Sequence, residues 1–328
     1  LNLSGIKWSW PLFAALLIIS TVKAMGFEPP GPQERINAIG RLDELPPQLR
    51  PAFVPDDDFH PIPRPGPGDW LSVHPEAGQT FDDYVRLNPP RPSHGRNRIY
   101  IQPLGEFAGP QSPPLDPLAR LASAFFQMEV KPLEPIALGH GRITTRRNPY
   151  THQRQLLTTD ILSILHEGFP ADAFCVLGVT MEDLYPHPSW NFVFGQASLE
   201  HRVGVFSFAR YSPTFYGEKR EAGSAKLLLL RSFKVLAHET CHMFHMSHCI
   251  YFHCLMNGSN HLRESDARPL HLCPVCLGKL HWSIGFDPIK RYEALLMLYE
   301  RYGFNDEAKW MRKRVEKIKR NVSKQKEP

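Results

Sequence analysis

The chain has 328 residues, 42% hydrophobic and 22% charged, with a net charge of +5. These are the proportions of an ordinary globular protein with a sizeable core, in one large domain or two small ones, and not of a wholly disordered chain. The mild positive excess does not by itself imply a nucleic-acid partner. Six cysteines are present, four of them in two metal-type pairs, which argues for a reducing compartment and therefore the cytosol or nucleus.

The first residues run against that placement. Trp8 to Val22 contains an apolar stretch, Pro11 to Ser20, with Lys7 before it and Ala24 after it. It has the look of a signal-peptide core and is short for a membrane-spanning helix, so no stable membrane association is expected. The chain starts at Leu1, and Met25 is the expected true start. Residues 1–24 are then an apolar leader or a translated artefact, and secretion follows only if they are a genuine signal peptide. The N-x-S triplets at Asn2, Asn257 and Asn321 are read as chance occurrences.

Residues 25–68 carry Pro29, Pro30, Pro32, Pro46, Pro47, Pro51, Pro55, Pro61, Pro63, Pro65 and Pro67. Proline at this density blocks helix and sheet interiors, so an extended or disordered arm is expected. The ordered domain is expected over 69–303, opening at Asp69 to Glu76, with His74 read as a structural or surface residue.

Arg98 to Leu104 reads as a strand, β-branched and aromatic, ended by proline. Leu115 to Met128 reads as a helix with Asp116 as N-cap and Pro117 at its first position. Short strands are expected at 136–138 and 153–157, and a second helix from Thr159. Phe174 to Thr180 is a continuous apolar run, hence a strand covered on both faces, with Cys175 inside it as a core residue. Ser189 to Ser198 and Gly204 to Arg210 read as two further strands joined by a charged turn. Strands alternating with helices point to an α/β sheet ahead of the metal-type stretch.

That stretch begins with Leu227 to Ala237, apolar enough for a buried helix, and continues into His238-Glu239-Thr240-Cys241-His242. Residues four apart share a helix face, so His238 and His242 can present two imidazoles to one metal. Glu239 then projects beside the metal, where a carboxylate can take a proton from water. His248 follows six residues after His242. A continuing helix would not bring it to that face, so the helix must end and the chain bend back. If the helix continued, His245 would share the face instead; the bend with His248 is the preferred reading. Cys249 and Cys254, then Cys273 and Cys276, suit a tetrahedral zinc held by four thiolates, which contributes folding energy and leaves no open position for chemistry.

After Cys276, Ile289 to Tyr302 reads as an amphipathic helix with Tyr292, Leu295, Leu296 and Tyr299 on one stripe. Residues 304–328 form a basic tail, Lys309 to Lys326 being rich in Lys and Arg, read as a solvated helix face.

His238, Glu239, His242, His248, Cys249, Cys254, Met256, Cys273 and Cys276 resemble the archaemetzincins, a metzincin family of zinc peptidases. Trp70 and its neighbours, and both strands over 189–210, are similar to the animal type-two branch. The resemblance covers roughly 68–303. It implies a compact zincin domain with a mixed sheet, an active-site helix and a smaller C-terminal part held by the four-cysteine zinc. It also implies two Zn2+ ions, one catalytic and one structural, a Met-turn at Met256 under the catalytic metal, and an edge strand at Gly195, Gln196 and Ala197 that pairs with an extended peptide. The departure from the family pattern is His245, where metzincins have the glycine that makes the bend.

A zinc-dependent peptidase acting as a monomer on peptides or proteins is the reading these features support, aminopeptidase-like on small peptides. The alternative is a catalytically inactive, zinc-stabilised scaffold in which His245 pushes His248 out of reach. Glu239 argues against it, since a structural site has no use for that carboxylate. A nucleic-acid-binding zinc module leaves Glu239 unexplained as well, and no nucleic acid is expected.

Overall fold

Burial on both faces of a parallel sheet organises the molecule. The computed structural model describes residues 26–324, apart from 108, 110 and 140. The expected leader over 1–24 and the triplet at Asn2 lie outside the described residues. Helices α1 (Pro32–Ile39), α2 (Trp70–Val73) and α3 (Phe81–Arg86) precede the sheet. Strand β1 (Arg98–Leu104), helix α4 (Leu115–Phe126) and strand β2 (Glu129–Pro132) form a parallel crossover unit. A three-stranded sheet follows from β3 (Thr145–Arg147), β4 (Arg154–Leu157) and, after α5 (Thr158–Glu167) and β5 (Ala173–Thr180), β6 (Asp183–Tyr185). Strands β7 (Gly195–Ser198) and β8 (Val203–Ser207) complete the main sheet, whose order is β2-β1-β5-β8-β7.

In this sheet β2, β1, β5 and β8 are parallel, and β7 runs antiparallel to β8 at one edge. Period-two alternation sends Ile99, Ile101, Cys175, Leu177 and Val179 to the face covered by α4 and by α6 (Ser224–Met243). Tyr100, Val176, Val203 and Val205 go to the face covered by α5. β5 is buried along its whole length, as its unbroken apolar run requires. Helices α7 (Leu262–Ala267), α8 (Pro274–Ile284), α9 (Pro288–Tyr302) and α10 (Asn305–Lys324) close the chain.

Strand β1 has the expected bounds, Arg98–Leu104. Three local expectations differ from what is found. Pro114, not Asp116, is the N-cap of α4, so Asp116 lies in the first turn. Residues 136–138 contribute only a bridge from Ile136 to Leu104. Only Gly195–Ser198 of the longer stretch is strand, the chain before it touching β6 through a single bridge from Val193 to Leu184.

The proline-rich segment is folded rather than a loose arm. Pro32 sits in the first turn of α1, where a missing N–H leaves nothing unpaired. Ala52, Phe53, Phe59 and Ile62 enter the main core. Pro61 bridges to Phe252, and Ile62 N–H donates to the Tyr251 carbonyl at 3.3 Å, binding the segment to the cysteine loop.

The basic tail is helix α10, and it is not purely a solvated face. Met311, Val315 and Ile318 are buried, and Arg314 is fully buried. Its guanidinium reaches Asp58 at 3.2 Å and Asp56 at 3.3 Å, and donates to the carbonyls of Pro51, Ala52 and Val54. The two ends of the described chain therefore hold each other. No helix among the described residues is long and apolar enough to cross a membrane.

Candidate metal centres and substrate cleft

Helix α6 ends at Met243, and His245 takes φ 61°, the left-handed conformation that a bend requires. Histidine tolerates that region better than β-branched or bulky residues. Its imidazole hydrogen-bonds the backbone of Leu199, and burial holds it below its ordinary pKa. The bend brings His248 to the helix face of His238 and His242, and the ligand atoms of these three lie within 4.8 Å of one another. His245 is not among them.

Each of the three rings is held through Nδ1. The partner of His238 is the Leu255 carbonyl at 2.9 Å, that of His242 the Met246 carbonyl at 2.6 Å, and that of His248 the Glu76 carboxylate at 2.8 Å. A carbonyl or carboxylate can only accept, so Nδ1 carries a proton in each ring, the shorter Leu255 contact prevailing at His238 over the Arg268 guanidinium 3.1 Å from the same Nδ1, and each Nε2 is left as the inward, metal-facing atom. Two such atoms, on His238 and His242, face each other at 3.1 Å. Nothing between them donates. Ligands at about 2.0–2.1 Å from a tetrahedral zinc are themselves about 3.3 Å apart, so the donor set fits that ion. Burial also holds these imidazoles neutral: it lowers His242 to about 3, and with the Arg268 charge takes His238 well below its usual range.

Glu239 lies on the same helix and lines the cleft with the three histidines. Burial raises its carboxyl to about 7, against the pull of His248 and Arg268. A divalent cation beside it would draw that value down again. Arg268, also buried, donates through Nη1 to the Asn257 carbonyl at 2.7 Å and through Nη2 to Ser265 Oγ at 2.8 Å.

The cleft has a volume of about 970 Å³. Gly195, Gln196 and Ala197 line it from the sheet edge, with Trp190, Phe192, Phe194 and Tyr211 beside them. Gln196 is tied to Thr158 through its side chain. Tyr211 stacks on Phe194 at 5.7 Å, and the residue before it, Arg210, is locked to Asp183 by two 2.8 Å bonds in the interior.

The four cysteines are buried and form a separate cluster, again with ligand atoms within 4.8 Å. Cys249 Sγ and Cys273 Sγ are 3.6 Å apart, near the roughly 3.8 Å expected across a tetrahedral zinc with bonds of about 2.3 Å. Burial opposes ionisation of Cys249, Cys273 and Cys276. At Cys249, hydrogen bonds from the other three thiols outweigh it and hold the thiol low; Cys273 and Cys276 are pushed up. Only a cation at the centre would let all of them ionise together. Asn257 secures the loop by accepting from Cys254 N–H at 2.8 Å and donating to the carbonyls of Cys249 and Phe252. Its amide is thereby engaged and buried, which removes the triplet at Asn257 as an acceptor site. Met256 is fully buried, and its carbonyl accepts from Cys249 N–H at 2.8 Å.

A third grouping, Asp69, His261 and Glu264, has a different character. His261 Nδ1 accepts from Glu264 N–H, so its Nε2 carries the proton that Asp69 receives at 3.0 Å, and no lone pair is left for a metal.

Sequence reasoning passed over Glu76, Gln79, Arg268 and Tyr211. For Glu76 there was a signal, the Trp70 to Glu76 resemblance, but no spacing rule could attach it to His248. Cys175 is a buried core residue on β5, and burial pushes its thiol up. His74 packs on the Trp70 ring at 4.3 Å and lines the cleft mouth.

The model of peptidase family M54 matches residues 145–282. Archaemetzincin-2 of Pongo abelii is 43% identical over 277 residues, covering 76% of this chain and 77% of that protein. Archaemetzincin-2 of Homo sapiens is 42% identical with the same coverage. Among solved structures, archaemetzincin from Methanopyrus kandleri is 29% identical, with a TM-score of 0.45, over 58% of this chain and 97% of that one.

Proposed function

Because the chain belongs to the archaemetzincins, the zinc metallopeptidases of family M54, we propose that it hydrolyses peptide bonds at the three-histidine centre. His238, His242 and His248 hold the catalytic zinc there, and Cys249, Cys254, Cys273 and Cys276 hold a second, structural zinc. The carrying observation is the convergence of three inward Nε2 atoms beside Glu239 on the wall of a cleft.

A zinc ion bound there supplies Lewis acidity, polarising the scissile carbonyl and making water a nucleophile near neutral pH. Glu239 takes the proton of the attacking water and passes it to the leaving amine. Its burial suits that double task, since a carboxylate desolvated in the resting site both accepts and returns a proton readily. The three Nδ1 bonds fix ring orientation and tautomer, so no histidine has to reorganise during turnover. Gly195, Gln196 and Ala197 align an extended peptide along the sheet edge, and the aromatic wall of Trp190, Phe192 and Phe194 receives an apolar side chain. Met256 is the buried floor of the histidine centre.

The inactive-scaffold alternative rested on His245. With φ at 61° that residue performs the glycine's task, which speaks against it. The aminopeptidase-like reading has less support. Glu239 is the one carboxylate among the described lining residues, so a free α-ammonium finds no second partner. An interior cut next to an apolar residue is the finer proposal. The monomeric state and a cytosolic or nuclear setting belong to the same reading, since six unpaired cysteines suit a reducing compartment.

The test is zinc content together with hydrolysis of a quenched fluorescent peptide library. About two zincs per chain, falling to about one in His248→Ala, and activity lost in Glu239→Gln, support the reading. A wild type holding one zinc sinks it.

A further inference from the structure

We propose that Glu76 and Gln79 are positioning residues of the histidine centre, so that the segment between α2 and α3 sets where the third histidine stands. The inference rests on the reading above.

The three histidines are not held alike. The Nδ1 partners of His238 and His242 are the carbonyls of Leu255 and Met246, 17 and 4 residues away, and come with the motif itself. The partner of His248 is Glu76, 172 residues away and ahead of the span 145–282 that matches the family. It is also the one charged acceptor among the three. A carboxylate behind an imidazole makes Nε2 a stronger donor and restrains the ring.

Glu76 is itself held in place. The Trp70 indole N–H donates to the same carboxylate oxygen at 2.7 Å, and the Trp70 ring stands edge-on to His248 at 5.0 Å. That ring occupies the space where a Cβ on Gly258 would lie, 2.3 Å from its Cδ1. Gly78, at φ 74°, lies so close to Ile250 that a Cβ would stand 2.5 Å from its Cγ1. The segment is thus keyed into the loop carrying His248 and Cys249.

Gln79 acts on the backbone. Its buried side-chain amide donates to the His245 carbonyl at 3.2 Å and accepts from Ser247 N–H at 3.1 Å. It grips the bend on both sides of Met246, where the helix has ended and its own ladder offers no partner. The buried Lys279 ammonium fastens Gln79 in turn through its backbone and side-chain oxygens. A bend that uses histidine in the left-handed region receives here a brace from another part of the chain.

The experiment measures Zn2+ affinity by chelator competition on the full chain, for wild type and for Glu76→Gln, Glu76→Asp and Gln79→Ala. Co2+-substituted samples distinguish the sites, since cysteine-bound cobalt shows thiolate charge-transfer bands and the histidine centre does not. Glu76→Gln, which keeps an acceptor but loses the charge, is expected to weaken the histidine-site metal by roughly 10–100-fold, leaving the thiolate bands unchanged. Gln79→Ala is expected to act in the same direction, and Glu76→Asp to recover part of the loss. A merely structural role would weaken both sites together or neither. Unchanged histidine-site affinity in Glu76→Gln and Gln79→Ala overturns the inference while the zinc reading stands. A wild type with only the thiolate metal removes both.

Discussion

The two candidate metal centres are joined directly in sequence, His248 being followed by Cys249, yet they are built on opposite principles. The cysteine cluster is sealed in the core, its ligands all from one stretch of 28 residues, 249–276. Four thiols converging in the interior need a cation to ionise together. The histidine centre opens on the cleft, and its donors are already oriented by their Nδ1 partners. One centre is an interior that a metal completes. The other is a prepared socket that a metal enters.

The largest effect should come from breaking the sealed centre. Cys273→Ser is expected to remove the cooperative thermal transition seen by circular dichroism, since structural zinc sites contribute about 10–16 kcal/mol of binding free energy. A variant that still melts cooperatively near the wild-type temperature would show that the cluster is not a fold-determining metal site. Next comes Glu239→Gln, expected to lower kcat by about 10²–10⁴-fold while metal content and melting temperature stay unchanged. Brief treatment with a chelator should then separate the two centres by exposure, leaving about one zinc per chain bound by thiolates while peptide hydrolysis disappears. Loss of both metals at one rate would erase the distinction.

The smallest effect concerns the bend. His245→Gly is expected to change stability by no more than about 1 kcal/mol, the glycine's ease at positive φ offsetting the lost bond to Leu199. His245→Val is expected to cost about 1–3 kcal/mol, because a β-branched residue is poorly tolerated at φ 61°. Denaturant melts of the two variants side by side give the comparison.

What could be read from the sequence was what lies close along it. His238, Glu239 and His242 follow from helical spacing, the cysteines from their paired spacing, and β5 from its unbroken apolar run. The bend at His245 was legible as a requirement, because no helix carries His248 round to the other two. Glu76 and Gln79 were not legible, since their partners are more than 160 residues away and no periodicity links them. The proline-rich segment misled for a related reason. Proline excludes helix interiors, but Pro32 begins a helix and Pro61 sits in an isolated bridge. What draws that segment down is Phe53, Phe59 and Ile62, together with an acidic triplet whose counter-charge is on the last helix.

That last pairing bears on how the protein is made. Asp56 and Arg314 are separated by 258 residues, so at about 5–20 residues per second a ribosome takes roughly 13–50 s to deliver the arginine after the aspartate. Until then Asp56, Asp57 and Asp58 lack Arg314 and Lys317, and the segment that buries Phe53 and Phe59 lacks its closing helix. Until α10 is delivered, the nascent chain carries an acidic, aromatic patch uncovered, which makes this a surface a holding chaperone would meet.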